Sequence, residues 1–330
     1  MSTTRHVFVC PIYNVDVDSE VLGVNYNDYT IISASEFHEN YISQLYCENI
    51  GLLNDIKLPQ PGSIVERPTA RYIIISYIDL EEGSGQDIIS ANDKKIDDFF
   101  CTFCFLIMAL RWLAPGNIQI NNAYVLSSSS ARRRDFGIST SLFELSNMYT
   151  VGTNHLFLNN YRITNTLFDR AMELGQNLIN NYSVIEYPAV YFNQYYQTYH
   201  LQDKLIKLMT LLETSLMGDS PIEKQYALIC RGCFFVRENI GSILKCAYSV
   251  RSEYLHSGDI KRKTFKKIQQ IVDRQNEWEA LFIFITDYLE SITRKVLNKL
   301  FQEILTTGHK INQIDHDLDE QIYAELSRDI

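Results

Sequence analysis

Apolar positions change their period near the middle of the chain. Up to about residue 125 they fall in short runs rich in β-branched and aromatic residues, which predicts strands. These runs cover 6–11, 21–33, 70–80 and 118–126. Pro59, Pro61 and Gly62 separate two of them, and the Glu-Glu-Gly-Ser-Gly stretch at 81–85 ends the third. Residues 97–114 read as one buried helix, stopped by Pro115 and Gly116. Beyond about residue 160 apolar residues recur at three- and four-residue spacing. Helices are predicted over 162–182, 188–200, 201–217, 222–239, 240–257, 265–275 and 277–306. Leu205, Leu208, Met209, Leu212 and Leu216 form one such apolar face.

The pattern implies an α+β chain of two domains. A β-rich N-terminal domain with a buried helix spans 1–127, a polar linker 128–160, and an all-α antiparallel helical bundle 161–330. No internal repeat is visible.

Composition narrows the class. With 46% hydrophobic and 21% charged residues in 330, the chain is an ordinary folded protein. The net charge of −10 argues against a surface coated for non-specific DNA binding, yet leaves room for a local basic groove. The start of the chain lacks the apolar core of a secretory signal. The most apolar run, 99–110, is too short for a bilayer. Seven scattered cysteines suit a reducing cytoplasm. No membrane association or cofactor is expected, since no phosphate-cradling glycine loop or nucleophile elbow occurs.

The candidate chemistry lies at Arg251-Ser252-Glu253-Tyr254-Leu255-His256, before Ser257-Gly258-Asp259. An Arg four to six residues before a His arises about once by chance in a chain of this composition, so the neighbouring segments carry the argument. These are Leu211-Leu212-Glu213-Thr214-Ser215-Leu216 and the stretch from Glu223 to Arg231. Together the three segments, within 185–305, resemble the Apea-like branch of the HEPN superfamily. That branch has a helix with a Leu-Glu-x-x-Leu type pattern, a helix with an apolar-x-x-Arg pattern, and a third ending in Arg-Ser-x-x-x-His-x-Gly. The resemblance implies a compact antiparallel helical bundle that often dimerises. Many members are metal-independent endoribonucleases of toxin–antitoxin and anti-phage defence systems. It puts Arg251 and His256 at the catalytic pair and Ser252 at the polar position after the arginine. Glu213 is either a surface residue or a buried partner of Arg231 or Arg251, and the family pattern favours a partner.

The residue types suit that chemistry. A histidine titrates near neutrality and serves proton transfer. An arginine stays charged and forks onto phosphate oxygens. His256 falls in the last helical turn, at the negative end of the helix dipole, with Glu253 one turn away. On a regular helix Arg251 and His256 point about 140° apart, so a second subunit is expected to complete the site. A lone histidine beside a helix-ending glycine is otherwise a charge partner for the helix end.

Beside the motif, residues 245–275 carry eight Lys or Arg against three acidic residues. Lys261, Arg262, Lys263, Lys266 and Lys267 read equally well as a phosphate-binding patch or a solvated helix start. Arg132, Arg133 and Arg134 form a second cluster, more simply a solvated loop. Cys101/Cys104 and Cys230/Cys233 have zinc-like spacing, but their apolar surroundings predict buried helix positions, and no metal site is expected. Two functions follow. One is an RNA-cleaving effector acting on transfer RNA or on phage or host transcripts, as a homodimer whose N-terminal domain binds a trigger or protein partner. The other is a non-catalytic interaction module of the same fold.

Overall fold

The computed structural model describes residues 2–42, 70–116, 118–120, 123–127, 161–198, 201–217, 224–272 and 278–326. The linker and the Arg132–Arg134 cluster lie outside them. The chain divides into two compact units, with the described boundary after Asn180.

In the first unit β1 (Thr3–Tyr13) is the middle of an antiparallel sheet. It pairs along its length with β5 (Tyr72–Glu81), from Thr3 opposite Glu81 to Ile12 opposite Tyr72. Beyond β5 lie β4 (Tyr29–Ser33) and β3 (Asn25–Tyr26). β6 (Gln119–Ile120) and β7 (Tyr124–Ser127) pair with the other side of β1. The β3–β4 turn is two residues long, with Asn27 at φ 46° and Asp28 at φ 77°. Two successive positive φ values make the hairpin turn whose twist matches its strands, and Asn and Asp tolerate them best.

β1 is buried on both faces along its C-terminal half. Successive side chains point to opposite faces. Phe8 faces α2 (Gln86–Leu113), its ring 5.0 Å from both Phe99 and Phe103. Val7 and Val9 pack on the other side with Ile73, Ile75 and Phe37, the latter from the short helix α1 (Ala34–Phe37). α2 begins eleven residues before the expected start, because its first turns are mostly polar and largely face solvent. Its buried Arg111 donates from Nε and Nη2 to the carbonyl of Ile118 at 3.2 and 3.0 Å, which fixes the return of the chain to the sheet.

Residues 161–180 correct the boundary expected at 161. They belong to this first unit. β8 (Tyr161–Ile163) pairs in parallel with β2 (Val15–Val17), and Tyr161 and Ile163 are fully buried. α3 (Asn165–Asn180) packs along α2. Gly175 lets the two backbones approach; a Cβ there would sit 3.4 Å from the main chain at Phe105 and Leu106. α3 carries the same helical period as the bundle, so periodicity alone assigns it there.

The second unit is all helical among the described residues, which agrees with the α+β class. Its elements are α4 (Tyr182–Gln197), α5 (Leu201–Leu216), α6 (Lys224–Val236), α7 (Gly241–Ser257), α8 (Arg262–Val272), α9 (Trp278–Thr307) and α10 (Ile311–Leu326). α5 is its axis, touching α4, α6, α7 and α9. Its face of Leu205, Leu208, Met209, Leu212 and Leu216 is buried as expected. α4 starts six residues earlier than expected and runs through Pro188, which lies in its second turn. The apolar pattern does not predict α10. Its sequence is mostly polar and charged, and a few apolar residues such as Ile314 and Leu318 hold it to the core.

Truncating the fully buried Phe103 removes the ring that joins α2 to the sheet. Phe103→Ala is expected to lower the stability of the first unit by about 3–5 kcal/mol. Denaturant titration followed by near-UV circular dichroism checks it.

Candidate functional site

The motif falls on α7. Its last turn closes on Gly258, at φ 69°, whose N–H donates to the carbonyl of Tyr254 at 2.8 Å. A residue in the left-handed region ends a helix this way, and glycine is the usual one because it adopts that conformation without strain. His256 stands exposed in this last turn, beside exposed Leu255, and Ser252 is partly buried.

Arg251 turns toward the bundle. Its Nη1 lies 3.0 Å from Glu213 Oε1 on α5, with the side chains 24% and 14% exposed. Of the alternatives open for Glu213, partnership with Arg251 is the one realised. Arg251 thus directs its charge to α5, and His256 stays at the surface.

Arg231 has other partners. Its guanidinium, 2% exposed, donates to Asp319 from Nε at 2.7 Å and Nη2 at 2.6 Å, and to the carbonyl of Leu216 from Nη1 at 2.6 Å. Asp315 Oδ2 lies 3.4 Å away, and among the described residues neither Asp315 oxygen accepts a hydrogen bond. Burial pushes the Asp315 carboxyl up to about 7, the nearby Arg231 charge opposes this, and Asp319 adds to it. Sequence reasoning misses both aspartates, because both lie on the helix that the apolar pattern does not predict.

Glu253 holds the turn after the motif. Its Oε2 accepts from the Lys261 N–H at 2.9 Å and its Oε1 from Thr264 Oγ1 at 2.8 Å. The carboxylate therefore caps the start of α8, next to the exposed end of its dipole. Glu253, expected to support His256, has this capping role in the fold.

α8 turns Thr264 and Ile268 inward, while Lys261, Arg262, Lys263, Lys266 and Lys267 are all exposed. The α7–α8 turn thus carries an exposed histidine into an exposed row of cations. Cys101 and Cys230 are exposed, against the expectation of buried positions; of the two spaced pairs only Cys104 is buried. The pairs belong to different units.

A second polar group joins α4, α5 and α9. Glu290 accepts from Tyr195 Oη at 2.9 Å and from Tyr196 and Arg294. Lys204 is buried with its Nζ 4.7 Å from the centre of the Tyr195 ring. Burial and the Glu290 charge hold the Tyr195 phenol well above the ordinary range. A Tyr-Tyr dipeptide facing Glu-x-x-x-Arg was the available sequence signal. The cluster pairs Glu290 with Arg294 and ties the three helices together.

The Asp315 carboxyl makes stability depend on pH. Its folded value of about 7 lies above the ordinary 3.9, so folding favours the protonated form. That contribution is complete below about pH 4 and is lost as pH rises through about 7. Asp315→Asn keeps the shape without the titration. It is expected to raise stability above pH 7 by a few kcal/mol, on the order of the linkage from such a shift, and to flatten the profile between about pH 4 and 7. Thermal melts of both proteins across that range check it.

No family model matches the chain, and no curated protein or solved structure matches it.

Proposed function

We propose that the helical unit is a metal-independent endoribonuclease, with Arg251 and His256 as its catalytic residues and Ser252 as a hydrogen-bonding partner of the phosphate. One observation supports this most: an exposed histidine ends α7 and five exposed Lys or Arg follow it at and just before the start of α8, while an ion-paired arginine lies little more than a turn before the histidine. The 2′-hydroxyl of a ribose attacks the adjacent phosphorus as a base takes its proton. An acid protonates the departing 5′-oxygen, leaving a 2′,3′-cyclic phosphate and a 5′-hydroxyl. His256 transfers the proton and Arg251 steadies the charge on the phosphorane. Lys261, Arg262, Lys263, Lys266 and Lys267 gather the RNA backbone. Transfer RNA and phage or host transcripts are the proposed substrates, and a toxin or anti-phage effector the proposed role. The chain is proposed to act as a homodimer, because Arg251 and His256 diverge along one helix and a partner's pair completes each site. The N-terminal sheet unit is proposed to receive a trigger or protein partner.

A second reading has its own support. The Arg251 charge is already met by Glu213 and largely shielded. An arginine used this way also fits a bundle that dimerises and docks a partner without cutting.

His256→Ala separates the two readings, since the side chain is exposed and its loss spares the core. Cleavage of transfer RNA is expected to fall about 10²–10⁴-fold, with unchanged far-UV circular dichroism. Unaltered cleavage, or none in the parent protein, would favour the docking module.

The chemistry predicts that chelator leaves cleavage intact and that a 2′-deoxy nucleotide at the cut position blocks it while binding persists. Lys263→Glu with Lys266→Glu is expected to weaken RNA binding and make the salt dependence shallower, by a slope of about one for each phosphate no longer neutralised. Gel-resolved cleavage and fluorescence anisotropy over a salt series test both. A magnesium requirement, or equal cutting of DNA, would point to another mechanism.

A further inference from the structure

A cleft of about 370 Å³ opens where the end of α6 meets α9 and α10, and the ribonuclease reading makes no use of it. Its volume is that of a small-ligand site. Arg237, just past α6, lines it with φ 60°. That position is the left-handed helix stop normally filled by glycine, and any L side chain there is strained. Strain kept at one residue directs attention to what its side chain does. The Arg237 guanidinium lies 4.0 Å over the ring of Phe234, which fixes its place at the cleft. Lys299 also lines the cleft, its ammonium held by the carbonyl of Phe235.

Carboxylates line the same cleft. Glu303 follows Lys299 by one turn of α9, and Asp317 comes from α10. Asp317 is oriented by His309, whose Nδ1 lies 3.0 Å from its Oδ2. Buried Phe235, Ile314 and Leu318 supply apolar surface between these charges. Cations from the end of α6 and from α9, acids from α9 and α10 and an apolar floor together suit a molecule with both charges and an apolar body. A simple anion or a simple cation would meet a like charge.

We propose that this cleft binds a dipeptide-sized zwitterion, with its carboxylate on Arg237 and its ammonium on Asp317 and Glu303. Leucyl-leucine is the probe. Isothermal titration of the full chain at neutral pH is expected to show saturable binding at millimolar concentration or below. N-acetylation or C-amidation of leucyl-leucine each removes one charged end, and both derivatives are expected to bind about ten- to a hundredfold more weakly. Arg237→Gly removes the guanidinium and suits φ 60°, so the thermal midpoint is expected to hold or rise while affinity falls by the same factor. Two results would overturn the proposal. One is no saturable binding of leucyl-leucine up to about 10 mM. The other is binding that Arg237→Gly or end-blocking leaves unchanged. Neither depends on whether RNA is cleaved.

Discussion

A guanidinium withdrawn from water has to be met on its donor edges, or the fold loses several kcal/mol. Arg231 meets that condition with groups from two other helices: the last carbonyl of α5, and the Asp319 carboxylate on α10. The order of the helical unit follows. α6 lies where its arginine reaches the end of α5, and α10 lies where Asp319 closes the remaining side. Arg251 repeats the arrangement from α7, reaching Glu213 one turn before the end of α5. The C-terminal end of α5, the negative pole of its dipole, is thus gripped by two arginines from two neighbouring helices. A polar clamp of this kind sets which helices meet and in what register, where leucine-rich faces alone tolerate sliding.

The same clamp bears on chemistry. A residue that steadies a phosphate has to be held in place before the phosphate arrives, since ordering it afterwards consumes binding energy. Glu213 fixes Arg251 in that sense, and it also competes with any phosphate for the same charge. Rigidity and availability are opposed at this one side chain. The exposed cations of α8 escape that conflict, because none of them is needed to close the core.

Much of the fold is legible in the residues. β-branched runs mark β1 and β5, and the leucine face of α5 marks the bundle axis. The left-handed stop at Gly258 agrees with the glycine that ends the motif helix in the sequence. What is not legible has physical reasons. The solvent-facing first half of α2 and the charged helix α10 show little apolar period, so tertiary anchors, not pattern, determine them. α3 has a clear helical period, but period says nothing about which core a helix joins; Gly175 and α2 decide that. At the site, the residue types at Arg251 and His256 can be read from the chain, whereas their partners cannot. Glu253 stands beside the histidine in sequence and caps the next helix in space. Asp315 and Asp319 lie more than eighty residues from the arginine they serve.

β2 and β8 pair in parallel, although about 150 residues of chain lie between them, a separation that makes the pairing slow to form. During synthesis β2 has no β8 to pair with until the chain past Ile163 has left the ribosome. Elongation at roughly 5–20 residues per second makes that wait several seconds or more. The first unit therefore matures only when the second is about to be made. Anything that recognises the half-finished sheet, a chaperone or another nascent copy, has that interval in which to act.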